Sequence, residues 1–445
     1  MEKFLNDLAS SRNKIRDPIY GFIPLTVHER RVIDTPLFQR LRRINQLALT
    51  KYVYPSAEHS RFVHSIGVMQ CATMILRGVF SHVDTRLRWL KPSEHGLKVL
   101  RYAALLHDIG HLPFSHAVEK QWLHGLEHED VSIHIIKNYK PIAQALAEDD
   151  VDCNDVASLL EKKPLGKDQL FHEIISGQLD ADRADYLLRD SHACGVRYGE
   201  YDFPRFLQIF SAQEDREHRT LALCVDEKDL HMAESLLIAR YHYNLQIPYH
   251  RTRSGYDVVL KKFAAENIDL NGIFEINGAQ LKSIDFEQLE LLDDGSIFEI
   301  IKKQYRNGNT WASYLMRQKH LCPLIDTNNI FEGSAILFKD SVTKLRGQAN
   351  LAENEDFFVQ EQEVKMLKRA LPSHESLAER GEENSSELPD GTIRLMVKIQ
   401  GGAKKPVDIC SRSWIFNRLN ETPHKIFRVY VIEEKKEDCK KIILQ

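Results

Sequence analysis

The sequence has no Cys-x-x-Cys pair: its seven cysteines stand singly at 71, 153, 194, 224, 322, 410 and 439. That excludes a zinc ribbon and a disulfide framework, and it points to a reducing compartment. No uncharged apolar run approaches the ~18 residues that a membrane span needs. The opening Met1-Glu2-Lys3-Phe4-Leu5-Asn6-Asp7 carries no apolar signal core. A soluble, cytoplasmic chain without a membrane partner is expected. Neither sign of charge dominates: 60 Lys plus Arg stand against 64 Asp plus Glu, a net charge of −4. A strongly basic nucleic-acid-binding chain is thereby excluded, although local patches leave nucleic acid an allowed partner. Repeats and heptads are missing too. What remains is 445 residues with a hydrophobic share of 43%, enough for one large domain and smaller attachments.

The chain is organised around Leu106-His107-Asp108-Ile109-Gly110-His111-Leu112-Pro113-Phe114-Ser115-His116. An adjacent His-Asp pair follows the apolar run Tyr102-Ala103-Ala104-Leu105-Leu106, which reads as a buried helix. Imidazole and carboxylate are ligands shared by borderline and hard divalent metals. Neighbours on a helix point about 100° apart, so two consecutive ligands can hold adjacent corners of one coordination sphere. Gly110 and Pro113 then end the helix and turn the later histidines back towards it. A lone His-Asp pair would be an ordinary polar helix end. Histidines at 107, 111 and 116 around Asp108 favour a site.

Before this stretch, Asp17-Pro18-Ile19-Tyr20-Gly21-Phe22-Ile23-Pro24-Leu25 fits a short hairpin or extended arm. Pro36 suits the first turn of a helix running from Leu37 to Leu47, capped by Asp34 or Thr35. Its arginines 40, 42 and 43 are either solvated or able to meet phosphate. Arg61 and His64, three apart, share a helix face. After it, His124, His128, Glu129 and His134 lie in a helical stretch. A strong helical pattern from Phe171 to Asp190 places Asp182, Tyr186 and Asp190 on one face, either solvated or lining a cleft. Leu230 to Phe263 continues helical, its arginines and aromatics open to nucleotide or to a subunit contact. Pro372 to Gly391, rich in Glu and Ser, reads as a linker or loop. Two strand-like runs, 392–399 and 426–432, suggest a small sheet with a helix near Ser411 to Leu419.

Taken in order, Arg61-Phe62-x-His64-Ser65-x-Gly67, His107-Asp108-x-Gly110-His111-x-Pro113-Phe114-Ser115-His116 and Asp182-Arg183-x-Asp185-Tyr186 resemble the HD-domain phosphohydrolases. More narrowly, they are similar to the deoxynucleoside triphosphate triphosphohydrolase branch that includes the SAM-and-HD-domain protein and its bacterial relatives. Asp17-Pro18-x-x-Gly21 and Asp34-Thr35-Pro36-x-Phe38-Gln39-Arg40-Leu41-Arg42 carry the same likeness, which spans roughly residues 15 to 265. The resemblance implies a divalent metal (Mg, Mn, Fe, Zn, Co or Ni) on His64, His107, Asp108 and Asp182. It implies catalytic roles for His111, His116, Glu119 and His128, with His116 as general acid beside Glu119. It implies substrate contacts by Arg61, Arg183 and Arg240 to the triphosphate, and by Gln46, Tyr186 and Asp190 to the sugar. Position 183 is often lysine in that family, and Pro248, with Tyr249 beside it, stands where relatives place a base-stacking tyrosine. A homo-oligomer, dimer or tetramer, is implied as well. For a nucleotide effector Asp34 matches, whereas Arg16 stands where the family has asparagine.

The expected fold is therefore mainly α: an all-helical HD-domain core with a small α+β C-terminal part. The expected division is an N-terminal arm and first helices at 1–50, the catalytic core at 51–265, a helical extension at 266–370, the linker at 371–391 and the α+β part at 392–445. The expected function is metal-dependent hydrolysis of a deoxynucleoside triphosphate to deoxynucleoside and triphosphate. The alternatives are another phosphohydrolase of the superfamily, acting on a nucleoside monophosphate or a cyclic nucleotide, and a non-catalytic regulator binding nucleotide or single-stranded nucleic acid.

Overall fold

A computed structural model of the chain describes residues 2–81, 92–161, 169–215, 220–331, 333–364, 392–398, 404–421 and 424–444. The linker expected at 371–391 lies outside the described residues. The core is helical, and the helix Arg61–Ser81 runs through its middle. Phe62, Ile66, Met69, Ile75 and Val79 are all buried, and so are Val68, Cys71, Ala72 and Leu76 around the other sides. A helix that is apolar all round belongs inside a protein or a membrane. This one has an 18-residue window of mean hydropathy 1.3, and 72% of that window is buried within the molecule. It packs against the helices Glu94–Leu106 and Ala181–Cys194, and these three elements carry the candidate ligands.

A chain of buried ion pairs ties the N-terminal arm to that core. The arm is a hairpin of β1 (Lys14–Asp17) and β2 (Gly21–Pro24). Asp17 Oδ1 accepts the amides of Ile19 and Tyr20 and so closes its turn. The other oxygen, Oδ2, accepts from Arg189 at 2.8 Å, and Arg189 also grips both oxygens of Asp185. The pair fits against the central helix only because position 67 is glycine: a Cβ there would fall 2.1 Å from Asp185 Oδ1.

Three helical stretches expected from the sequence are cut short or divided. The helix after Pro36 ends at Arg40, followed by a 3-10 turn to Arg43, instead of reaching Leu47. The carbonyl of Ile44 accepts the amide of Arg61, and the amide of Gln46 donates to His59. This pairing between distant segments overrides local helix propensity. Of its arginines, Arg40 is fully buried and donates to the carbonyls of Leu292 and His111, while Arg42 lies 3.5 Å over the Phe62 ring. The Phe171–Asp190 pattern divides at Gly177 into Gln169–Ser176 and Ala181–Cys194, the second capped by Asp180 accepting from the Arg183 amide. Likewise Leu230–Gln246 and Arg251–Asn267 are separate helices.

The strands form two sheets beyond the hairpins. One contains β3 (Phe210–Asp215) and β4 (Thr220–Asp226) and is extended by β9 (Arg394–Lys398) and β10 (Lys404–Asp408), in the order β10-β9-β4-β3. The other has β11 (His424–Val431) between β7 (Cys322–Asn328) and β8 (Phe357–Val364). The runs 392–399 and 426–432 therefore do not make one sheet together. Each finds partner strands far back in the chain, β9 pairing parallel to β4 at Cys224 to Asp226. The stretch 266–364 mixes helices with β7, β8 and the hairpin of β5 (Phe274–Asn277) and β6 (Gln280–Ile284).

The turn after the Glu94–Leu106 helix crosses the helix His128–Asn138 at Gly110. A Cβ at Gly110 would meet the His128 carbonyl oxygen at 2.3 Å and the Ser132 nitrogen at 2.4 Å, both backbone atoms that cannot swing aside. Gly110→Ala should destabilise the protein by about 1–3 kcal/mol through overpacking. Gly272→Ala, whose Cβ meets nothing within 4 Å, should change stability by less than about 0.5 kcal/mol. Urea unfolding of both variants checks this; equal midpoints would show that the crossing is not tight.

Candidate metal centre and histidine cluster

His64 lies in the first turn of the central helix, His107 caps the Glu94–Leu106 helix with Asp108 next to it, and Asp182 lies in the first turn of Ala181–Cys194. The Nδ1 of His64 donates to Asp185 Oδ2 at 2.8 Å. Its Nε2 therefore faces inward, 3.1 Å from Asp182 Oδ1 and 3.6 Å from Asp108 Oδ2. His107 Nδ1 donates to the carbonyl of Ala104 at 2.8 Å, which leaves Nε2 buried without a hydrogen-bond partner. That nitrogen is 3.2 Å from Asp108 Oδ1 and 3.9 Å from Asp182 Oδ1. The two rings are inclined at 73°, so their planes intersect and one ion can lie in both.

The electrostatics ask for a cation. Burial opposes charge on His64, yet hydrogen bonds to Asp182 and Asp185 raise its pKa to about 10. Burial likewise opposes ionisation of Asp108, but His107, Arg61 and His111 hold it well below the usual carboxylate range. Asp182 is desolvated too, and its hydrogen bond to His64 keeps it low. A carboxylate-rich pocket that draws a proton onto an imidazole is discharged equally by a divalent ion. His64, His107, Asp108 and Asp182 could thus hold one through two imidazole nitrogens and two carboxylate oxygens, a mixed set suited to borderline divalent metals.

The second group, His111, His116, Glu119 and His128, also has donor atoms within 4.8 Å of one another. Its geometry suits protons better than a metal. Glu119 is buried, with Oε2 accepting from His116 Nδ1 and Oε1 from His128 Nδ1, both at 2.9 Å. Burial opposes the charge of Glu119, but those two hydrogen bonds hold it far below the ordinary range. Against its own desolvation, His128 is raised to about 9 by the hydrogen bond to Glu119. His111 Nε2 lies 3.3 Å from Asp108 Oδ1, yet burial and the charges of Arg61 and His128 hold its pKa well below that of a free imidazole. The His111 and His128 rings stack 3.6 Å apart at 15°. A ligand lone pair lies in its ring plane, and nearly parallel planes do not converge on one ion. His116 is 66% exposed while Glu119 fixes its Nδ1 as donor, so its other nitrogen is left to exchange a proton.

The loop carrying these groups is strained. Phe114 and Ser115 have φ of 58° and 52°, a left-handed conformation that costs non-glycine residues about 1–3 kcal/mol each. Ser115 Oγ, donating to the Asn45 carbonyl and accepting from Arg61 Nε, helps hold it.

The residues expected to contact substrate are only partly gathered. Arg61 is buried and donates to Asp108 Oδ2 at 2.5 Å, so its charge serves the site's own carboxylate. Arg183 sends one nitrogen to the carbonyls of Gly177 and Gln178, leaving its Nη2 buried without a partner. Burial and the nearby charge of Arg240 both lower the pKa of Arg183. Gln46, Tyr186 and Asp190 are linked through His59 and Tyr243. The amide of Gln46 donates to the His59 carbonyl and its Oε1 is buried unpartnered, Asp190 bonds His59 and Tyr243, and Tyr186 lies 5.3 Å from the Tyr243 ring. His59 has no role in the reading from sequence, Asp185 entered it only as a motif residue, and Tyr243 only among the aromatics of Leu230 to Phe263. Asp185 was findable, since Asp185 and Arg189 are four apart on a helix and Asp182 is three away; His59 and Tyr243 carry no spacing signal.

Residues 61–190 match the HD domain family. An uncharacterized protein of Methanocaldococcus jannaschii is 33% identical over 319 residues, 72% of this chain and 58% of its own. The deoxynucleoside triphosphate triphosphohydrolase SAMHD1 homolog of Dictyostelium discoideum is 33% identical over 261 residues, 55% of this chain and 48% of its own. The crystal structure of a hypothetical protein from Aquifex aeolicus matches with a TM-score of 0.72 and 25% identity, covering 97% of this chain and 99% of that one. This chain spans about half the length of the curated relatives it matches.

Metal content tests the first group. His107→Ala removes a nitrogen that has no other hydrogen bond, so the protein should fold and lose most of its metal. Asp108→Ala is the less clean variant, because it leaves Arg61 buried without its counter-charge. Asp185→Asn should weaken metal affinity by about 10- to 100-fold by releasing His64 Nδ1. Full metal in His107→Ala by elemental analysis would contradict the assignment.

Proposed function

We propose that this chain, whose residues 61–190 are an HD domain, cleaves a deoxynucleoside triphosphate into deoxynucleoside and triphosphate. The observation that carries this reading is the exposed His116 held at Nδ1 by the buried Glu119, beside a pocket fit for a divalent ion. His64, His107, Asp108 and Asp182 would hold a divalent ion, which would supply Lewis acidity and charge neutralisation for a phosphate oxygen. Water adds to the α-phosphorus and gives up a proton to solvent, and the bond to the nucleoside 5′-oxygen breaks. That oxygen leaves as a hydroxyl only if it gains a proton, which His116 gives from its outer nitrogen. Glu119 holds the ring with Nδ1 as donor, which leaves the outer nitrogen directed away from the carboxylate. His128, charged on the same carboxylate, and neutral His111 stacked on it complete a proton reservoir close to Asp108.

The pair Arg183 and Arg240 suits an anionic substrate. Two guanidinium groups near each other, one fully buried, repel, and an anion between them relieves that repulsion. Gln46, Asp190 and Tyr186 suit the sugar. Asp190 accepts from Tyr243, whose ring lies against Tyr186, so Asp190 and Tyr186 are held in place. The SAMHD1 homolog above bears the same activity in its name. Chromatography of the products separates the readings: triphosphate supports this one, inorganic phosphate points to a phosphomonoesterase, and unchanged nucleotide points to a binding regulator.

A sugar site built from these residues should reject an added 2′-hydroxyl. Deoxy substrates are expected to be favoured by at least ~10²-fold in kcat/KM; equal values for GTP and dGTP would contradict the placement. His116→Ala should lower kcat by about 10²- to 10⁴-fold, with metal content and KM near those of the parent protein. A His116→Ala protein that melts early and lacks metal would instead make His116 a structural residue of the loop.

A further inference from the structure

The helix Asp294–Arg306 belongs to none of the motifs above, yet its first residue reaches the two segments that carry His116 and Gln46. Asp294 is 5% exposed. Its Oδ1 accepts the amide of Phe114 at 2.8 Å, and its Oδ2 accepts the amide of Asn45 at 2.9 Å. Phe114 is two residues before His116, and Asn45 is the residue before Gln46. One turn further along, the Phe298 ring meets the Phe114 ring edge-on at 5.4 Å. The start of the same loop is tethered alongside: Arg40 donates to the His111 carbonyl at 2.6 Å and to the Leu292 carbonyl at 2.7 Å, two residues before Asp294.

We propose that Asp294 is a positioning residue that sets His116 and Gln46 in one frame. The inference rests on the roles given to those two residues under the proposed function. Its physical basis is the divergence of the two amides. They come from segments about seventy residues apart, and each needs its own acceptor. Carboxylate side chains alone among the twenty offer two equivalent acceptor oxygens. An asparagine would satisfy one amide and present its own N–H₂ to the other. Phe114 and Ser115 stand in a conformation that persists only when the surroundings dictate it. Asp294 fixes the first of them from outside the loop. If the grip is lost, the loop relaxes, His116 moves relative to Gln46, and the leaving oxygen and its proton donor are no longer held together.

The test compares Asp294→Asn and Asp294→Ala with Ile301→Val, a fully buried residue of the same helix with no part in this contact. Melting temperature, metal content, kcat, KM and hydrogen exchange of peptides covering residues 45 and 114 are measured for each. Asp294→Asn should keep its metal and lose about 10- to 100-fold in kcat, the effect of a misplacement on the order of 1 Å. KM should change by less than about threefold, and exchange should quicken at both peptides. Ile301→Val should leave kcat and those two peptides unchanged. Unchanged kcat and exchange in Asp294→Asn would overturn the proposal. So would an equal loss of kcat in Ile301→Val at an equal loss of melting temperature. Should Asp294→Ala fail to fold, the asparagine variant still decides. A parent protein that hydrolyses no nucleotide would refute the proposed function, and exchange at residues 45 and 114 would then decide the Asp294 contact by itself.

Discussion

The Asp108 carboxylate joins the two halves of the site. One oxygen faces Arg61 at 2.5 Å and His64 Nε2 at 3.6 Å; the other faces His107, His111 and His128 at 3.2, 3.3 and 3.7 Å. A buried carboxylate stays ionised only with compensating positive charge and donors around it. Here compensation comes from Arg61, from the charged His128 and from whatever cation the imidazoles hold. The pocket around His64 and His107 and the cluster around Glu119 are therefore not independent: a change of charge on one side is felt across a few ångströms of low dielectric on the other. The same dependence explains the burial of Arg61. Its guanidinium balances Asp108 and bonds Ser115, so it orders the strained loop as well as the charge.

Around that carboxylate, much of the fold keeps imidazoles from turning. His64 is oriented by Asp185, which is gripped by Arg189, which is anchored by Asp17 in the N-terminal hairpin. The extension holds the opposite side through Arg40 and Asp294. An arm from the beginning of the chain and a helix near residue 300 thus converge on one small volume. The helices between them supply the apolar mass that keeps water from weakening those bonds. Asp185 orients the ring of His64, and Asp294 holds the backbone two residues before His116.

Much of this could be read from the residues. The His107-Asp108 pair and the histidines after it stood out from the residues themselves, the addition of His64 and Asp182 came only from the family resemblance, and the helical core followed from apolar periodicity. Partners supplied by distant segments were not visible. The helix after Pro36 stops at Arg40 because Ile44 and Gln46 bond the chain near Arg61, and nothing in the sequence of 37–47 announces that contact. The runs 392–399 and 426–432 were recognised as strands, but pairing with β4, β7 and β8 depends on register between segments far apart. Arg61 looked like a phosphate ligand from its motif; its place against Asp108 needs three-dimensional packing. His59, bonded to Asp190, has no periodic signature at all.

The central claim is that water attacks the α-phosphorus and that the nucleoside keeps its own 5′-oxygen. The direct measurement is turnover of dGTP by the metal-loaded protein in ¹⁸O-labelled water, with the products analysed by mass spectrometry. The account predicts one labelled oxygen in the released triphosphate and none in deoxyguanosine. Label in inorganic phosphate with dGDP as co-product, or label in deoxyguanosine, would contradict it.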